Sequence, residues 1–249
     1  MKINNIKKIA AGILVLPLMV FVLFSSQTLA APKADYWSFW GDSKENSKRT
    51  ISHDDWNKIL KTYVVKNHPS GVNRFRYADV SEADKKRLDN YINQLTSTDP
   101  RKYNRNEQKA YWINLYNALV VQQVIKHYPI KSVQDIGGSF KRGPWREKLV
   151  RIAEQDVSLD DIVHRILRPI WQDYKVHFGL SCAAISCPNL LPQAFTGRNV
   201  NASLKEAGKA YINHSRGVSL KKGNMDASQL FDWYKKDFAK NEKGLIRVF

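Results

Sequence analysis

The stretch NEQKAYWINLYNALVVQQVIKHY, residues 106–128, decides the fold. Its apolar residues Ala110, Ile113, Leu115, Leu119, Val120, Val124 and Ile125 recur at helical spacing, and Trp112, Tyr116 and Val121 widen the stripe. A helix apolar on nearly every side predicts a central, buried element, and Pro129 stops it. Working outward, His53–Val65 reads as a helix with Ser52 as its N-cap, and Ser81 opens another that runs to Leu95. On the C-terminal side, Lys148–Ile152 alternates like a strand and Leu159–Leu167 reads as a helix broken by Arg168-Pro169. Val176–Leu180 reads as a short buried strand, Val200–Ile212 as a helix, Val218–Leu220 as a strand, Ser228–Phe238 as a helix and Leu245–Phe249 as a last strand. No internal repeat is visible. The expected class is α+β: one helix-rich domain over residues 51–249 with a small, mainly antiparallel sheet, preceded by a polar lead, residues 31–50, with an aromatic clasp at Tyr36–Trp40.

The first thirty residues read as a secretory signal peptide. Lys2, Lys7 and Lys8 precede the apolar run Ile9–Phe24, and Thr28 and Ala30 supply the small residues before a cut after Ala30. The run holds 16 residues with Pro17 near its middle, short of the roughly 20 needed to span a bilayer. No cysteine follows it to take a lipid. The expected location is therefore periplasmic or secreted, with no transmembrane anchor after cleavage. The chain of 249 residues carries a net charge of +17, and the leader accounts for three of those charges. Such a field attracts polyanions, so an anionic envelope component is the expected class of partner. The basic residues are scattered, with Lys85-Lys86-Arg87, Lys141-Arg142, Lys221-Lys222 and Lys235-Lys236 the densest groups; none is an arm for specific nucleic-acid binding.

Chemistry concentrates in HFGLSCAAISCP, residues 177–188, which holds both cysteines of the chain and one of its six histidines. Several alternatives stand open. Cys182 or Cys187 could act as a thiolate nucleophile paired with His177, the two could form a disulfide, the default for an exported pair, worth about 2 kcal/mol for so short a loop, or they could be inert buried thiols. No cofactor and no metal is assigned, although Asp161, His164 and His177 could supply ligands beside the cysteines. Asp161, His164 and Arg168 fall on one face of an ideal helix. Asn114 and Asn117, three apart on the central helix, either pin neighbouring loops or present amides to a cleft that holds a catalytic histidine.

The motifs WINLYNAL (112–119), GPW (143–145), SLDDI (158–162) with His164, Leu167 and Arg168, then His177-Phe178, Cys182, SCP (186–188) and WYKKDF (233–238) together resemble the domain of unknown function 547 family of bacteria and plants. The resemblance spans roughly residues 50–240 and implies no established activity. The family's pattern reads Asp-Ile-Glu-His where this chain has Val163. A looser analogy, to papain- and transglutaminase-like arrangements, would place His177 on a strand beside a helix bearing Asn114 or Asn117 and would suggest amide or ester chemistry. Two functions follow: an exported thiol/histidine hydrolase or acyl transferase using His177, Cys182, Cys187, Asn114 and Asn117, or a non-catalytic binding module with a structural disulfide.

Overall fold

A computed structural model describes residues 31–137, 143–221 and 224–249. The expected signal peptide with its cleavage point, and Lys141, Arg142 and Lys222, lie outside the described residues. Residues 31–249 form one compact unit.

The first helices, α1 (Asp54–Tyr63) and α2 (Glu82–Thr96), pack side by side, and α2 lies along the central α3 (Arg105–His127). Asn104 caps α3, its Oδ1 accepting from the backbone N–H of Asn106 and Glu107. Every residue of α3 from Glu107 to Val121 is buried, as its all-round apolar pattern requires. Trp40 meets Trp112 of α3 edge to face at 5.0 Å between centroids. Ser81 caps α2 as expected, whereas α1 starts after His53, which makes no side-chain cap bond.

Among the described residues strands occur in three separate two-stranded antiparallel hairpins. They are β1 (Val64–Val65) with β2 (Arg74–Phe75), β3 (Lys148–Ile152) with β4 (Gln155–Ser158), and β5 (Val218–Lys221) with β6 (Asn224–Ala227). The α+β class holds, with the sheet reduced to these hairpins.

The expected helix after Leu159 becomes a π-helix over Asp161–Leu167 that runs into the short α4 (Arg168–Trp171). The cause is Pro169. In an α-helix the carbonyl of Arg165 would accept from residue 169, but proline has no N–H and its ring crowds that carbonyl. Instead Trp37 donates its N–H to Arg165 O at 3.1 Å, and Asp35 donates to His164 O at 2.9 Å. The Arg165 guanidinium lies 4.4 Å above the Trp37 ring. Residues 31–40 are thus a strap laid along the π-helix, and Trp40 belongs to the main core. The sequence suggested only a lead with an aromatic clasp.

Val176–Leu180, expected as a strand, is instead part of a 3-10 helix, Tyr174–Gly179. It packs on α5 (Val200–Ile212) so closely that a Cβ on Gly208 would stand 2.7 Å from the Phe178 ring. The expected last helix is broken into α6 (Gln229–Trp233) and α7 (Lys235–Phe238), and the expected terminal strand is a helix, α8 (Glu242–Ile246). Phe178, Tyr211, Phe231 and Phe238 form a second core that ties these C-terminal helices to the 3-10 segment. With no histidine-bearing strand, the arrangement that the papain and transglutaminase analogy needs is absent among the described residues.

Candidate functional site

The π-helix, the 3-10 segment and α7 meet at one carboxylate. Asp237 of α7 accepts on Oδ2 from His177 Nε2 at 2.8 Å and from Arg168 Nε, and on Oδ1 from Arg168 Nη2 at 3.0 Å. Arg168 Nη1 also donates to the Pro32 carbonyl of the strap at 2.7 Å and to His164 Nδ1 at 3.0 Å. Because a guanidinium only donates, His164 Nδ1 must be the unprotonated nitrogen, which leaves the proton on Nε2, 3.8 Å from Asp160. Tyr234 stacks on His177 with centroids 4.0 Å apart, and the Arg168 guanidinium lies 4.9 Å above the same tyrosine ring. Phe238 covers His177 at 5.5 Å.

Burial sets the protonation of this cluster. His177 is 2% exposed and His164 6%. Burial lowers the pKa of His177, against the pull of Asp237. Burial, helped by the Arg168 charge, lowers His164 to about 4. For Asp237, burial alone would raise the carboxyl, but the hydrogen bonds from His177 and Arg168 prevail and hold it well below the usual carboxylate range. Burial likewise raises Asp160, and it pushes the Tyr234 hydroxyl up to about 12. Near neutral pH the cluster is one buried cation on a half-buried carboxylate, flanked by two neutral imidazoles.

Asp161 does a different job from the one its spacing suggested. It accepts from Ser158 N at 2.9 Å and from Ser158 Oγ at 2.7 Å, while its own N–H donates to that Oγ. This reciprocal pair starts the helix. Lys148 and Arg165 complete the carboxylate's shell. The wider π turn and this cap take Asp161 away from His164 and Arg168, so the three do not share one working face. Among the described residues no three His, Cys, Asp or Glu side chains are grouped to hold a metal ion; Asp161, His164 and His177 form no ligand set. Val163, where the family's pattern has glutamate, is buried in the main core.

Cys182 and Cys187 are joined by a disulfide, so the chain has no free thiol. The loop they close is held on both sides. Asn117 donates to Gly179 O at 2.8 Å and accepts from Ser181 N at 2.9 Å. Tyr211 donates to Ser186 O at 2.8 Å and Arg216 to Ile185 O at 3.0 Å. Asn114 acts in the same way one turn earlier, pairing with both N and O of Phe195 at 3.1 and 2.7 Å. Both asparagines therefore mimic backbone and fix the loops that follow the 3-10 segment, each donating one N–H and accepting once on its oxygen.

Beside the cluster lies a cleft of about 700 Å³, to which the strap contributes Ala34 and Tyr36, α3 contributes Arg105, and α7 contributes Lys236 and Asp237. Arg168, Asp173 and Tyr174 complete its polar lining. Its two carboxylates are already matched. Asp173 takes Lys175 at 2.6 Å and the buried Lys109 at 3.3 Å; Asp237 takes Arg168 and His177. Sequence reasoning did not single out Tyr234 or Asp237 for the site. The signal was present in WYKKDF, where one acid sits among aromatics on a short helix, but its partners lie 60 and 69 residues away.

No curated protein and no solved structure matches the chain. Residues 100–212 match the family model described as Protein of unknown function, DUF547, and this segment, which carries both asparagines, the π-helix, His177 and the disulfide, supports the DUF547 family for this chain.

Proposed function

We propose that the protein is a non-catalytic binding module for an anionic ligand of the cell envelope, held in the cleft between the strap and α7. The observation that carries this reading is the charge state of the cleft. Both its acids are neutralised from within the protein, and Lys236 stands exposed at its rim without an ion-pair partner among the described residues. The volume suits a small organic molecule, and Tyr36 and Tyr174 offer flat surfaces beside the cations. The net charge of +17 favours the same ligands. Titration with glucose 6-phosphate against glucose, followed by calorimetry, tests the reading. The phosphorylated sugar should bind and the neutral one should not, with affinity falling as salt rises. Lys236→Glu should weaken binding by about tenfold, the equivalent of about 1.4 kcal/mol. Equal binding of both sugars, or an unchanged Lys236→Glu variant, would sink the idea.

A second reading, a hydrolase or acyl transferase on amide or ester bonds, is favoured by the His177–Asp237 pair, since a carboxylate-oriented imidazole is what a general base needs. It requires a thiolate that the disulfide withholds. Ester hydrolysis that appears on reduction and is lost in Cys187→Ser would favour it over the binding module.

Export with cleavage after Ala30 is also part of the proposal. Protein recovered from the envelope should begin at Ala31; sequencing that finds Met1 would exclude the cleavage.

A further inference from the structure

Among the described residues, Ala153, Glu154, Gln172 and Ala183 have a positive φ without being glycine. Ala153 and Glu154 form the two-residue turn of the β3–β4 hairpin, where such angles are the rule. Ala183 lies inside the disulfide loop. Gln172 is the member of this group that lines the cleft. Its φ of 46° and ψ of 34° turn the chain from α4 into the 3-10 segment, and its N–H closes α4 on Arg168 O at 3.1 Å. The fold asks only for this bend, which glycine makes without a clash, whereas a Cβ there costs stability. Asparagine and aspartate offset that cost with a short side chain that bonds the adjacent backbone. Gln172 makes no such bond: its side chain is exposed and has no hydrogen-bond partner among the described residues. A strained residue that presents an unused polar group to a cleft is a candidate for ligand contact.

Volume and chemistry say which part of a ligand it meets. A cleft of about 700 Å³ is far larger than one phosphate group and falls in the range that encloses whole organic molecules. A phosphate oxygen only accepts hydrogen bonds and suits the cations. An amide both donates and accepts, which matches a hydroxyl group that does the same. We propose that Gln172 reads the hydroxyl groups of a phosphorylated sugar, so that the ligand class of the cleft is a sugar phosphate and not a simple phosphate monoester. The inference rests on the reading of the cleft as an anion site and adds the residue that recognises the neutral half of the ligand.

Calorimetry with glucose 6-phosphate and with methyl phosphate, which carries the same anion and no sugar, tests it. The unaltered protein should bind glucose 6-phosphate at least about tenfold more tightly. Gln172→Ala keeps a Cβ in the left-handed conformation and removes the amide. It should weaken glucose 6-phosphate by about five- to tenfold and leave methyl phosphate within about twofold, because the charge of the cleft is unchanged. Its melting temperature should stay within about 1 °C of the parent. Gln172→Gly relieves the strain as well. It should lose the same affinity for glucose 6-phosphate while its melting temperature rises by about 2–4 °C. A gain in stability coupled to a loss of binding is what a purely structural glutamine would not give. Equal affinity of the unaltered protein for the two phosphates, an affinity for glucose 6-phosphate that both variants preserve, or equal losses for the two ligands would overturn the role of Gln172 and leave the cleft an anion site. Binding of neither phosphate would overturn the anion site and this inference with it.

Discussion

Asp237→Ala is expected to destabilise the protein by about 3–5 kcal/mol, because it strands a buried cation. Arg168, whose side chain is 6% exposed, would lose its only carboxylate partner among the described residues, and His177 would lose the acceptor for Nε2. For a chain of this size the loss corresponds to a fall in melting temperature of roughly 10 °C. A companion variant, Arg168→Met with Asp237→Leu, removes both charges and should recover part of the loss, since a buried pair costs desolvation that an apolar pair avoids. Urea denaturation of the three proteins measures both effects. A cost below about 1 kcal/mol for Asp237→Ala would mean that water reaches the cluster and that it does not hold α7 in place.

Stability should fall steeply as the pH drops from about 6.5 towards 4. His53 and His164 are both buried, and burial is the main cause that lowers each to about 4. Nδ1 of His53 faces the Tyr91 hydroxyl at 2.7 Å, and its Nε2 has no partner among the described residues. In the unfolded chain an unperturbed imidazole takes up its proton near pH 6.5. Between the two values the unfolded state therefore binds more protons, so unfolding becomes more favourable with each step down in pH. The two sites together contribute on the order of 5 kcal/mol at neutral pH, lost across that window. His177 acts in the same direction. Asp237, whose pKa is depressed, adds a further loss only below the normal carboxylate range, near pH 4 and under. Urea midpoints measured at intervals from pH 7 to pH 4 (the window set by these shifts) should decline, and His53→Leu should flatten part of the slope. A flat profile would show that both rings are charged, or solvated, in the folded protein.

The sequence by itself determined the central helix. Its pattern from Ala110 to Val124 has no polar side long enough to face water, so nothing but burial satisfies it, and the observed Arg105–His127 differs from the expected span by one residue at each end. The helix Val200–Ile212 was legible with its observed bounds, and the hairpin strands at 148–152 and 218–221 nearly so. Those segments carry their periodicity locally. Val176–Leu180 does not, because five apolar residues fit a buried strand or a buried turn of helix equally well, and only the close approach to Gly208 selects the 3-10 form. Leu245–Phe249 failed for the same reason of length. The π-helix was half legible. Pro169 announces a break, but the N–H groups that donate to the freed carbonyls come from Asp35 and Trp37, some 130 residues earlier. The disulfide was one of several open alternatives for Cys182 and Cys187, and the structure joins the two. The charge cluster was decided by tertiary structure alone. Nothing near Asp237 in the sequence says that Arg168 and His177 will share its two oxygens, because that pairing is made by packing α7 against elements that are distant along the chain.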